Sequence, residues 1–179
     1  MVELRLAGYF PKQIVARPQW LNAPNVEDIC SISRCISRGP ERWMDLGLHN
    51  RLDFFDTPDL ALGAASGSGW RLFAYRLLSV RFREGVEEFW SWPTLATVPL
   101  APDFRSLGFD VASQSMTDTL ECSPLSCNGA AERWAVNTHC LLDSLEGAIE
   151  AARRFSIDGA EPVEPGDYYV AEVLCADKP

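Results

Sequence analysis

Two histidines, His49 and His139, and two lysines, Lys12 and Lys178, are all that this 179-residue chain has of either type. So few imidazoles leave little choice of general base or nitrogen metal ligand. No window approaches the ~20 apolar residues that a membrane-spanning helix needs. Gly-x-Gly-x-x-Gly, Gly-x4-Gly-Lys-Ser/Thr, Gly-x-Ser-x-Gly and His-Glu-x-x-His are all absent, so the motif forms of nucleotide enzymes, serine hydrolases and zinc proteases are missing. No repeat and no low-complexity tract interrupts the chain, and no motif implies a cofactor. Glu3 and Arg5 break the first apolar run, which is not the pattern of an export signal; a cytoplasmic location is the expectation.

What is present is ordinary in bulk: 47% hydrophobic and 23% charged residues, enough apolar surface to offset the entropy of ordering a chain of this length. One globular domain over residues 1–179 is expected. The charge is unevenly placed. Residues 1–83 carry 11 basic and 8 acidic side chains, and residues 84–179 carry 5 and 17. A later half this acidic repels phosphate backbones and fits a protein partner with a basic surface, so neither nucleic acid nor membrane is an expected partner.

Strand-like alternation occurs at Val2–Leu6, along Trp70–Arg83, at Leu107–Ala112 and at Tyr169–Leu174. The last is apolar on both sides apart from Glu172 and reads as a central strand. Within Trp70–Arg83 the apolar parity changes from Phe73, Tyr75 and Leu77 to Leu78, Val80 and Phe82, which predicts a bulge near Leu77–Leu78. Three helices are expected. One runs from Asn25 to Gly39, with Val26, Ile29, Cys30 and Ile36 on a stripe. A short one follows Thr57-Pro58. The third has Asp143 as cap with Glu146, and Leu145, Ala148, Ile149, Ala152 and Phe155 as its buried face. The order of elements implies an α+β fold with a mostly antiparallel sheet of about five or six strands, packed by about three helices.

Three groups of residues could carry function. Trp90 and Trp92, next to Glu84, Glu87 and Glu88, suggest an aromatic and acidic edge for docking a protein. That edge, with the acidic later half, makes a protein-binding module the first functional expectation: a regulator, an accessory subunit or a toxin-neutralising partner. Cys122, Cys127 and His139 offer the alternative, an enzyme with a cysteine nucleophile activated by imidazole. Cys122, Cys127, His139 and Cys140 are the metal version of the same region, although adjacent residues such as His139 and Cys140 point apart on an extended chain. With no export signal, all six cysteines are expected to be thiols.

Three charged patterns have plainer readings. Arg34, Arg38 and Arg42 recur every four residues as a possible basic edge, with Glu27 and Glu41 to balance them. Arg81 and Arg83 are expected to pair internally with the acids of Glu84–Glu88 through a hairpin. Asp53, Asp56 and Asp59 lack the pattern of a calcium loop.

Overall fold

The computed structural model describes residues 2–36, 39–40, 47–114 and 120–177. It is an α+β fold built on one antiparallel sheet. In chain order the elements are β1 (Leu4–Gln13), β2 (Val15–Ala16), β3 (Asp28–Ile29), α1 (Pro58–Ala64), β4 (Trp70–Arg83), β5 (Val86–Phe89), β6 (Phe104–Gln114), β7 (Leu120–Cys122), α2 (Pro124–Cys127), α3 (Leu145–Phe155) and β8 (Tyr168–Ala176). The sheet runs β1-β4-β8-β6-β7, with β5 hairpinned onto β4, and β2 pairs separately with β3.

Strand β8 lies between β4 and β6, and every one of its nine residues is buried. Its one carboxylate, Glu172, pairs with Arg76 across the ladder. Tyr168 and Val170 pack with Phe155 of α3 and with Leu78, Val80 and Phe82. Tyr169, Ala171 and Val173 join Phe73, Tyr75 and Leu77 in a second core. The change of parity in β4 therefore has a simple cause: the strand serves one core with its first half and the other with its second. A register irregularity does fall between Leu77 and Arg81. It spans four residues of β4 against two of β8, so it does not itself reverse the faces.

Two glycines let the sheet take on extra segments. Gly8 and Gly108 sit at register shifts in β1 and β6, with φ of 145° and 135°. The residue after each turns outward into a further two-bond bridge, Tyr9 with Phe55 and Phe109 with Leu142. A Cβ at Gly8 would lie 2.6 Å from Phe54 Cβ, and one at Gly108 would lie 2.8 Å from the Leu142 carbonyl. The bridged segments lead straight into the caps of α1 and α3, so these bulges fix where both helices dock.

Thr57 caps α1 as expected, accepting from the Leu60 amide. The cap of α3 is Ser144, whose hydroxyl accepts from Gly147 N–H, and not Asp143. Asp143 instead accepts a bond from the Asn137 amide.

The helix expected over 25–39 is absent from the described part of that segment. Asp28 and Ile29 are a short strand, and the residues after them are irregular. Val26, Ile29 and Cys30 of the expected stripe are buried all the same and Ile36 is half-buried, so the apolar spacing recorded burial without periodicity of the backbone. The carbonyls that would close helical turns go elsewhere: those of Ser31, Ile32 and Ser33 all accept from the ammonium of Lys12. Serines at 31 and 33 are weak helix formers in any case. Arg38, Glu41 and Arg42 lie outside the described residues. Arg34 donates to the Asp53 carbonyl and stacks 4.7 Å over the Phe10 ring, which places it in packing with the core.

Candidate functional site

The segment after β3, the end of β7 and the end of α2 converge on one point. Cys35, Cys122 and Cys127 come from these three places, and their sulfurs all lie within 4.8 Å of one another. None is in a disulfide. Cys35 is exposed, and the other two are half-buried.

A buried polar frame holds the segments together. Asp110 on β6 is fully buried and accepts three bonds: Ile32 N–H at 2.7 Å, Val111 N–H at 2.8 Å and the Ser123 hydroxyl at 2.6 Å. Ile32 belongs to the Cys35 segment and Ser123 to the Cys122–Cys127 segment, so one carboxylate ties both thiol-bearing loops to the sheet. Lys12 on β1 sits below, 1% exposed, with its Nζ 2.7, 2.9 and 2.6 Å from the carbonyls of Ser31, Ile32 and Ser33. Three acceptors match the three N–H bonds of an ammonium. Burial pushes Lys12 down to about 7 and Asp110 up to about 6. Both shifts express the cost of removing charge from water, and the hydrogen bonds to each group offset it.

The thiols differ in character. Cys127 has polar neighbours: the Cys122 thiol, the Ser33 hydroxyl at 3.4 Å and the Ser126 hydroxyl at 3.8 Å, the last of which donates to the Ser123 carbonyl. The Cys122 hydrogen bond, ahead of the serine and backbone contacts, lowers Cys127 to about 5 despite its burial. Cys127 beside it, with burial second, pushes the Cys122 thiol up, and that thiol donates to Asn128 Oδ1 at 3.2 Å. Burial raises Cys35, which lies within hydrogen-bond reach of both partners; its backbone N–H donates to Ser33 Oγ.

His139 is not part of this cluster. Its Nδ1 lies 2.8 Å from Asp28 Oδ1 and 3.9 Å from Cys30 Sγ, in a second group made of Asp28, Cys30 and His139. The same nitrogen faces both neighbours, and among the described residues no contact joins His139 to Cys127. Cys140 is fully buried with φ of 60°, and burial raises it to about 12. The four-residue set Cys122, Cys127, His139 and Cys140 is therefore divided: its first two members join Cys35, and its last two sit apart. Cys35 was the member that sequence spacing missed, since it comes from a distant segment read as helix. Lys12 and Asp110 were missed as well. A lysine within an otherwise apolar strand stretch was the one signal available for the frame.

The aromatic edge is partly folded in. Trp90 is half-buried, donates from Nε1 to the Leu78 carbonyl, and packs edge-on against Tyr169 and 4.8 Å from Trp92. Glu84 starts the β4–β5 turn with φ of 50°, followed by Gly85 at 78°, the twist a two-residue hairpin requires. Glu88 pairs with Arg81 at 3.2 Å and with Arg83 at 4.0 Å, and Asp167 binds both arginines from the far side. The internal pairing expected for these arginines is what the hairpin provides. Glu84 and Glu87 remain exposed. Asp59 lies in the first turn of α1, Asp56 accepts from Asn50 and Thr97, and Asp53 pairs with His49, so these three acids are spent on local structure.

Compared with known proteins, the chain matches no family model, no curated protein and no solved structure. Among the described residues, no helix is long and apolar enough to cross a membrane.

Proposed function

We propose that the protein performs thiol–disulfide chemistry at Cys127, with Cys122 as its partner and Cys35 as a third, exposed thiol. The observation that supports this reading is the convergence of three thiols, Cys35, Cys122 and Cys127, with the Ser33 and Ser126 hydroxyls beside Cys127. Donors around a sulfur favour its thiolate, the form that attacks. Cys127 attacks one sulfur of a disulfide RSSR and expels RS⁻. Cys122 then attacks the mixed disulfide at the Cys127 sulfur, its proton passing to the leaving thiolate. The products are the Cys122–Cys127 disulfide, one RSH and one RS⁻, which takes its proton from the buffer, with two electrons passed to the substrate. An imidazole base has no place in this scheme, and the donor set around Cys127 replaces it.

The test is peptide mapping of the reduced protein after equilibration in glutathione buffers of graded oxidation. A Cys122–Cys127 disulfide forming at the most reducing ratios supports the reading. Glutathione on Cys35 alone, with Cys122 and Cys127 still reduced, would overturn it.

A second reading, a module that docks a basic protein, draws on the β5 edge. Val86 and Phe89 there are 59% and 67% exposed beside Glu84 and Glu87, in the half of the chain with 17 acids and 5 bases. Steering by such charge makes association slow as salt rises. A purified partner whose on-rate ignores ionic strength would remove this reading.

A further inference from the structure

We propose that Cys35, Cys122 and Cys127 together form a binding site for one soft closed-shell cation, of the Zn²⁺ or Cu⁺ type, with three thiolate ligands and one position left for a ligand from solution. The inference concerns the same thiols as the redox reading and rests on their placement there, but not on disulfide chemistry.

The spacing is the first support. Zinc–sulfur bonds of about 2.3 Å set sulfurs about 3.8 Å apart in a tetrahedral site, and a trigonal site of similar bond length sets them about 4 Å apart. Three sulfurs already within 4.8 Å of one another need only rotamer-scale movement to reach either. The ligands also come from three separate segments pinned to one frame by Asp110 and Lys12, so the site is held open before any ion arrives. That pre-organisation is what a metal site requires of its scaffold.

The surroundings fit a thiolate site. The Ser33 hydroxyl beside Cys127 can donate to a bound thiolate, the outer contact that tunes sulfur ligands. Lys12 lies close by, its Nζ bonded to the carbonyl of Ser33, whose hydroxyl is 3.4 Å from Cys127, and its protonated form offsets the net negative charge of three thiolates on a divalent ion. Exposed Cys35 gives the ion a path in. All-sulfur ligation selects soft cations over magnesium or calcium. Binding displaces the thiol protons still present into the buffer.

The Asp28–Cys30–His139 group is the rival location. Its Asp28 oxygen already lies 2.8 Å from the His139 nitrogen and 3.3 Å from the Cys30 sulfur, and Cys30 is 1% exposed, so those atoms satisfy one another.

The experiment is titration of the full chain, kept reduced with a phosphine, against a chromophoric chelator loaded with Zn²⁺ in one arm and Cu⁺ in the other, with Co²⁺ as an absorbing stand-in. The expected result is one equivalent bound and a thiolate-to-cobalt charge-transfer band. Cys35→Ser should weaken binding by more than about a hundredfold, since even outer contacts cost 10- to 100-fold, while Cys30→Ser leaves it unchanged. The arm with the tighter competition identifies the preferred ion. Binding no better than that of the alkylated protein overturns the site. Loss on Cys30→Ser with none on Cys35→Ser assigns the metal to the other group, and overturns it too. A folded wild-type protein that binds no metal yet forms the Cys122–Cys127 disulfide rejects this inference alone. Metal binding without that disulfide in the metal-free protein rejects the redox reading alone.

Discussion

Ser123 gives its hydroxyl to Asp110, 2.6 Å away, and for that reason does not cap the short helix it precedes. A residue at an N-cap position ordinarily uses its side chain on the helix's own amides. Here Pro124 fills the first helical position, where no N–H needs a partner, and the serine is released to anchor the helix to the sheet. Cys127 ends that helix, so the bond between Ser123 and Asp110 sets where its sulfur lies relative to Cys35.

Replacing Asp110 therefore disturbs the site as well as the fold. Asp110→Ala leaves two buried amides and one hydroxyl without an acceptor, at about 1–3 kcal/mol for each orphaned group. A total loss of about 3 kcal/mol is expected in urea unfolding, after partial rescue by water. Asp110→Asn should cost less, because its oxygen still accepts from Ser123 and Val111, but its amide confronts the Ile32 N–H. Both variants should slow closure of the Cys122–Cys127 disulfide. Ser123→Ala should reproduce that slowing at about 1 kcal/mol.

The same carboxyl gives a pH signature. Its folded pKa of about 6 lies above the ordinary 3.8, so between these values the native state binds the proton more tightly than the unfolded chain does. The contribution of Asp110 to stability is thus greatest below about pH 4 and falls as pH rises to about 6. The full change is about 3 kcal/mol at 1.36 kcal/mol per pH unit. The difference in unfolding free energy between wild type and Asp110→Asn should move against the wild type over that window and stay level above it. A flat difference from pH 4 to 7 would contradict the burial of this charge.

Lys12→Met tests the other half of the frame. The methionine fills similar space, but the carbonyls of Ser31, Ile32 and Ser33 lose their shared donor. About 2–4 kcal/mol of destabilisation is expected, together with faster alkylation of Cys30 as the segment loosens. Stability within 0.5 kcal/mol of wild type, roughly the range of neutral surface changes, would show that water replaces the ammonium without cost.

Much of this architecture is visible in the residues before folding is considered. β8 announces itself by being apolar on both faces, and α3 by Leu145, Ala148, Ala152 and Phe155 at helical spacing. The 25–36 segment misleads because Val26, Ile29 and Ile32 are buried in an irregular chain, held by contacts to Lys12 and Asp110 that no local pattern encodes. The thiol cluster is half legible for the same reason. Cys122 and Cys127 are close in sequence, whereas Cys35 meets them only because the buried carboxylate joins two loops. His139 looked like the natural partner of Cys127, but Asp28, brought next to it by β3, takes its Nδ1.

Thiol reactivity separates the six cysteines. In the metal-free protein, Cys127 at about 5 is already a thiolate at pH 6. Burial raises Cys35, Cys140 and Cys175, which stay protonated there. Iodoacetamide at pH 6 should modify Cys127 first, at a rate nearly level from pH 6 to 8 and falling below about pH 5. Exposure alone would favour Cys35, with a rate rising about tenfold per pH unit over the same range, since only the thiolate reacts. Mass spectrometry of the first-labelled peptide decides between them.

Gly108→Ala probes how the helical layer is attached. The residue has φ of 135°, and a methyl group would sit 2.8 Å from the Leu142 carbonyl and 3.0 Å from Leu141 Cβ. Both are fixed atoms: Leu142 exchanges two bonds of 2.8 Å with Phe109 and leads, two residues on, to the Ser144 cap of α3. Relief of the clash must break that bridge or flatten the bulge, and either moves α3 away from Tyr168 and Val170. A loss of more than about 3 kcal/mol is expected, combining strain at a positive φ with lost packing. By contrast, Gly159→Ala has a positive φ but open space around it, so it should cost only about 1 kcal/mol from the backbone. If the two variants unfold at the same urea concentration, the close approach of Leu142 to β6 is not what seats the helix.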